Sequence, residues 1–128
     1  MSESVKELIA QARAEISNLS ADDVAKAVEA GDVTLVDLRE PGEIEKEGTI
    51  PGAVLAPRGM LEFYADPGSP YHRAEFDPAR PTILFCASGG RSALAARTLK
   101  TLGYQEVAHL DGGLKAWKDA GRPTTNQN

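Results

Sequence analysis

The stretch "TILFC", residues 82–86, limits the possible folds more than any other part of the chain. It is an unbroken run of β-branched and apolar residues, with Arg80-Pro81 before it and Ala87-Ser88-Gly89-Gly90 after it. A strand with one wet face alternates apolar and polar residues; this one does not, so it reads as a strand buried on both faces. "VTLVDL" (33–38), "AVLA" (53–56) and "EVAHL" (106–110) are similar short runs with turn residues around them, and "ISNL" (16–19) adds another. Helical stripes alternate with them. Val5, Leu8, Ile9, Ala12 and Ile16 fall at helical spacing behind a Ser4/Glu7 capping box. Ser20 with Asp23 repeats the start signal before Val24, Ala27 and Val28, and Gly31 stands where that helix should end. Ala95, Leu99 and Leu102 form a third stripe, closed by Gly103. Such an order predicts an α/β fold: a mainly parallel sheet with helices on both faces. There is no internal repeat. The longest connection, residues 57–80, is rich in Pro and Gly, and a connection of that length is more often functional than idle.

At 128 residues the chain is sized for one domain with a real core. Its acidic and basic residues are unevenly spread: 12 Asp/Glu against 6 Lys/Arg in residues 1–60, and 7 against 8 in residues 61–128. An overall charge of -5 argues against nucleic acid as a partner but leaves room for a locally positive pocket in the second half. One cysteine excludes an internal disulfide framework, a CxxC redox pair and a multi-cysteine zinc site. The first residues carry neither a basic leader nor a continuous apolar run, so a cytoplasmic location and no membrane partner are expected.

The single cysteine, Cys86, sits at the end of the buried strand, and ligands of open parallel sheets bind beyond such ends. Ala87, Ser88, Gly89 and Gly90 follow, then Arg91 and Ser92 at a helix start. Two adjacent glycines let the backbone curl so that successive N–H groups point at one spot, aided by the helix N-terminus and Arg91. The sulfur of Cys86, or an anion bound to it, is the focus of that nest. Positive potential favours the thiolate, the nucleophilic form. A buried cysteine that merely packs is the plainer explanation, but it leaves the Gly-Gly curl and Arg91 unexplained.

Four motifs, "VDLRE" (36–40), "GTIPGAV" (48–54), "CASGGRS" (86–92) and "LDGGLKAW" (110–117) followed by "GRP" (121–123), occur in the order and spacing of a single-domain rhodanese, which the chain resembles from about Ser20 to Pro123. The resemblance implies a central parallel sheet of about five strands and a persulfide-forming role for Cys86. The expected division is a helical extension at 1–18, a rhodanese domain at 19–123 and a polar tail at 124–128, with the chain frayed from Pro123. Thr49 stands where the family motif more often has histidine. No cofactor or metal is implied. The expected reaction is that of a thiosulfate sulfurtransferase: Cys86 takes sulfane sulfur from a donor such as thiosulfate and gives it to cyanide or to a small or protein thiol. The alternative is a persulfide carrier or docking module without small-molecule turnover.

Cysteine-dependent phosphatases and arsenate reductases share a Cys and an Arg but place five residues between them; here there are four. One residue fewer shortens the loop by up to ~3.5 Å of contour and removes an inward amide. That favours a sulfur over a phosphate. The remaining candidates have plainer roles beside the chemical ones. Arg91 binds the donor anion or holds the loop's own carbonyls. Asp37 and Arg39 share the strand-end edge with Cys86 and read first as a structural salt bridge. Ser88 and Ser92 are hydrogen-bond donors for sulfur, with a helix cap equally open to Ser92. Trp117 is expected in the core, and His72 and His109 in structural or surface places. Arg58, Met60, Phe63 and Tyr64 are candidates for a pocket wall.

Overall fold

The computed structural model describes residues 2–126. In chain order its elements are α1 (Val5–Glu15), β1 (Ser17–Leu19), α2 (Ala21–Ala30), β2 (Thr34–Asp37), α3 (Pro41–Glu47) and β3 (Val54–Leu55), then a 3-10 turn (Arg58–Met60), α4 (Leu61–Ala65), β4 (Thr82–Phe85), α5 (Gly90–Thr101), β5 (Val107–Leu110) and α6 (Gly113–Asp119). The strands form one five-stranded parallel sheet in the order β1-β5-β4-β2-β3.

Alternation along the central strands sends side chains into two cores. Val36 and Leu84 point to the face covered by α5, where Ala95, Ala96 and Leu99 meet Leu61, Ala65, Phe76 and Tyr104. Leu35, Ile83 and Phe85 point to the other face, against Val24 of α2 and Leu114 and Trp117 of α6. Burial on both sides is what the unbroken apolar run required. Helix α1 packs on the outside of α5, with Ala12 fully buried. The predicted caps are in place: Ser4 and Glu7 bond reciprocally, the Ser20 hydroxyl accepts from Asp23 N–H, and Gly31 ends α2 at φ 88°.

Three short helices were not legible in the periodicity. Helix α3 has no buried residue, so it has no apolar stripe; Pro41 in its first turn and the Glu43 carboxylate on Glu40 N–H start it instead. Part of the long 57–80 connection is helical, the 3-10 turn and α4, because Leu61 and Ala65 bury against α5. Helix α6 starts within the Gly112-Gly113 pair, with Gly112 as its cap and Gly113 as its first residue. The tail is not frayed as far as Thr125, which exchanges both backbone hydrogen bonds with Thr49 at 2.8 Å, while Pro123 O accepts from Trp117 Nε1 at 2.8 Å. The last two residues of the expected polar tail, 127 and 128, lie outside the described residues. Among the described residues no helix is long and apolar enough to cross a membrane.

Candidate active site

Strands β2 and β4 run in register, Asp37 beside Phe85, and Leu38 N–H bonds to Phe85 O at 2.9 Å, so both strands end at one edge. Cys86 is the first residue past that edge and is 1% exposed. Gly89, at φ 110°, turns the chain into α5; a side chain there would be strained whatever the space. The turn brings Gly89 N–H to 3.2 Å and Ser92 N–H to 3.4 Å from Cys86 Sγ, so two amides of the expected nest reach the sulfur. Both belong to the start of a 12-residue helix whose dipole has the same sign.

The loop is held from behind by α6. Leu114 N–H donates to Cys86 O at 2.9 Å and Lys115 N–H to Ala87 O at 3.2 Å. With these carbonyls turned toward α6, the amides that follow are free to face the sulfur. So close an approach needs Gly113, where a Cβ would stand 2.5 Å from Ala87 O and 2.6 Å from Cys86 O.

Arg91 is engaged differently from either expectation. Both its terminal nitrogens meet the carboxylate of Glu43 on α3, at 2.9 and 2.8 Å, rather than loop carbonyls. This paired hydrogen bond lowers the Glu43 carboxyl to about 2 and raises the guanidinium further above its already high value, with a smaller contribution from Cys86. Ser92 is not the helix cap: α5 starts at Gly90 with Gly89 in the cap position. Ser92 lies in the first turn, fully buried, with Oγ 3.5 Å from Cys86 Sγ and 2.8 Å from His109 Nδ1.

Asp37 and Arg39 form a buried pair. Arg39 Nε lies 3.1 Å from Asp37 Oδ1 and Arg39 Nη2 2.9 Å from Asp37 Oδ2, with Gly48 O accepting from the same Nη2 at 2.5 Å. Thr49, in the place where a histidine was the commoner choice, donates its hydroxyl to Asp37 Oδ2 at 2.7 Å. The pair clamps the strand end to the turn after α3.

A cavity of about 410 Å³ opens beside the loop, lined by Ala87 and Ser88, by Glu47 and by Lys115, Lys118 and Asp119 of α6. None of the four residues suggested as a wall lines it. Arg58 pairs with Glu62, Phe63 packs edge-on to Tyr71, and Tyr64 lies against Phe76 and under the Arg73 guanidinium, because this segment folds onto its own aromatic residues. Trp117 is in the core as expected, and His72 bonds Phe76 O. Of the two places expected for His109, structural or surface, it takes the structural one: it is fully buried and bonded on both ring nitrogens, beside the site. The sequence signal for it was a lone histidine inside an otherwise apolar strand run, which must find polar partners once buried.

The Rhodanese-like domain model matches residues 20–120. Among solved structures, a protein of unknown function from Rhodopseudomonas palustris, described as a possible tyrosine phosphatase, is 42% identical with a TM-score of 0.91, covering 98% of this chain and 96% of that one. The polysulfide-sulfur transferase homodimer of Wolinella succinogenes is 31% identical with a TM-score of 0.76, covering 94% of this chain and 85% of its own. Thiosulfate sulfurtransferase GlpE of Vibrio cholerae is 33% identical over 89 residues, 70% of this chain and 76% of that protein. The chain spans less than half the length of several other curated relatives that it matches. With five parallel strands, a cysteine loop at their carboxyl edge and a family match over residues 20–120, the chain belongs to the rhodanese-like family.

Proposed function

We propose that the protein is a sulfurtransferase in which Cys86 is the nucleophile and residues 87–92 form the cradle for the transferred sulfur. The observation that carries this reading is the pair of amides, Gly89 N–H and Ser92 N–H, aimed at Cys86 Sγ. Fixed donors of this kind stabilise an anionic sulfur without reorganising. In the first step the Cys86 thiolate attacks the outer sulfur of a donor such as thiosulfate; the S–S bond of the donor breaks, sulfite leaves with its electron pair, and Cys86 holds a persulfide anion. In the second step an acceptor, cyanide or a thiol, takes the outer sulfur and the Cys86 thiolate is released. Asp37 and Arg39 support the site by fixing the neighbouring strand end. A lone reactive thiol of this kind suits the reducing cytoplasm, and the rhodanese domain is residues 19–123, with 1–18 as an extension whose last residues join its sheet.

A second reading, transfer of persulfide from a protein partner, is favoured by the charge at the loop. Arg91 is neutralised by Glu43, Lys115 pairs with Asp119 at 2.8 Å, and Lys118 lies 3.7 Å from Glu47, so no unpaired cation among these awaits a thiosulfate dianion. Intact mass after incubation with thiosulfate tests the first reading: wild type should gain one sulfur and Cys86→Ser none. Loading by a small-molecule persulfide but not by thiosulfate would support the carrier reading. Hydrolysis of an aryl phosphate by wild type, lost in Cys86→Ser, would overturn both.

A further inference from the structure

The sulfur of Cys86 has a second polar side that the amide cradle does not use. Ser92 Oγ lies between Cys86 Sγ and His109 Nδ1, and the other ring nitrogen, Nε2, lies 2.8 Å from Asn18 Oδ1 on β1. Asn18 fixes the direction of every bond in this chain. Its Nδ2 donates to the carbonyls of Arg13 and Ile16 at 2.9 and 3.3 Å, so its Oδ1 faces the ring. A carbonyl oxygen only accepts, so Nε2 carries a hydrogen and Nδ1 of the neutral ring is a lone pair. The Ser92 hydroxyl therefore donates to Nδ1 at 2.8 Å in preference to Gly89 O at 3.3 Å, and turns a lone pair toward the Cys86 thiol, which donates to it.

We propose that Ser92 and His109, oriented by Asn18, relay the proton of Cys86. The S–H proton passes to Ser92 Oγ as the Ser92 hydroxyl proton passes to His109 Nδ1; one S–H bond and one O–H bond break, one O–H and one N–H form, and the result is a thiolate and an imidazolium. Ser92 Oγ–H then donates to the sulfur as a third hydrogen bond beside the two amides. The path runs backwards when the thiolate is released after sulfur transfer.

Charges around the ring leave it responsive to the sulfur. Burial is the main influence and favours the neutral ring at rest. Asp111, beyond the end of β5, and Arg13, on α1, act in opposite directions and are paired with each other at 3.0 Å. Asn18 on β1 is uncharged, and on α5 Arg91 is held by Glu43. The charge that changes beside the ring is that of Cys86, at the end of β4.

The relay rests on Cys86 being the nucleophile, but its test needs no sulfur donor, so failure of sulfur loading and failure of the relay are separable. In ¹⁵N-labelled wild type, the His109 ring should carry an imidazolium population across the neutral pH interval in which Cys86 is alkylated by iodoacetamide, and should lose it to the Nε2–H tautomer only as pH rises beyond that interval. In Cys86→Ala the ring should stay neutral through that interval. His109→Gln and Ser92→Ala should each slow alkylation at neutral pH by about tenfold, the loss of one hydrogen bond to a charged group, and should move the alkylation profile to higher pH. Two variants are used so that a folding defect in one leaves the other as the test, and the NMR titration uses wild type. A ring that stays neutral while Cys86 reacts, or folded variants with an unchanged profile, would overturn the proposal.

Discussion

Replacing Gly113 by Ala tests whether α6 holds the cysteine loop in place. Two penalties act at this position. At φ 63° an alanine is in the left-handed region, which costs about 1–2 kcal/mol. The new Cβ would also stand 2.5 Å from Ala87 O and 2.6 Å from Cys86 O, both backbone atoms that cannot swing aside, and such overpacking costs about 1–3 kcal/mol more. Gly31→Ala is the matched control: its φ is 88°, and nothing lies within 4 Å of a Cβ there, so only the conformational penalty applies. For a domain of this size about 1 kcal/mol corresponds to roughly 4 °C in Tm. Gly31→Ala should therefore lower Tm by roughly 4–8 °C and Gly113→Ala by roughly 8–20 °C, followed by circular dichroism at 222 nm (~helical signal). Below its melting point Gly113→Ala should also lose most sulfur loading, because relief of the clash moves the Cys86 and Ala87 carbonyls and with them the amides facing the sulfur. Equal Tm losses in the two variants, with sulfur loading intact in Gly113→Ala, would refute the argument that this close approach sets the loop.

Three further outcomes follow from buried or paired groups. Asp37→Ala strands the Arg39 guanidinium, 1% exposed, without its carboxylate and should cost about 3–5 kcal/mol by urea denaturation. Glu43 titrates at about 2 in the folded chain against an ordinary 4.5, so the stability it contributes is full above pH 4.5 and is lost as pH falls toward 2. Because the pair with Arg91 is partly exposed, that contribution is at most about 1 kcal/mol, and the gap between wild type and Glu43→Gln should close over this interval in acid-unfolding curves. Burial pushes the Tyr104 phenol up to about 12 while it donates to Ala65 O at 2.8 Å. Unfolding should become easier as pH rises from about 10 to 12, and Tyr104→Phe should remove this alkaline loss at a cost of about 1 kcal/mol at neutral pH.

What could be read in the sequence depended on whether a feature was periodic or paired. The runs at 33–38, 82–86 and 106–110 were visible because strands buried on both faces are mostly apolar or β-branched rather than alternating, and Gly31 because its helix ends in the left-handed region. Cys86 and its glycines were visible because their spacing is local. Helix α3 was not, since no residue of it is buried, nor was the engagement of Arg91, because Glu43 is 48 positions away. The surroundings of His109 were hidden for the same reason: Ser92 is 17 positions away and Asn18 is 91. Partners brought together by the parallel crossovers leave no trace in spacing.

The same engagement of Arg91 bears on the choice between phosphoryl and sulfur chemistry, which matters because the Rhodopseudomonas palustris neighbour is described as a possible tyrosine phosphatase. A phosphoryl group brings three charged oxygens, and the planar fork of an arginine is suited to two of them. Here both terminal nitrogens of that fork are occupied by the Glu43 carboxylate, so binding phosphate would first require breaking a paired, charge-assisted contact. It would then place the freed carboxylate near a second anion. A persulfide makes neither demand. Its single charge lies on sulfur, and the donors aimed at sulfur are the Gly89 and Ser92 amides, which remain available whatever Arg91 does. The loop with four residues between Cys86 and Arg91, the arginine already paired and the amides converging on one atom all fit a monatomic cargo better than a tetrahedral one.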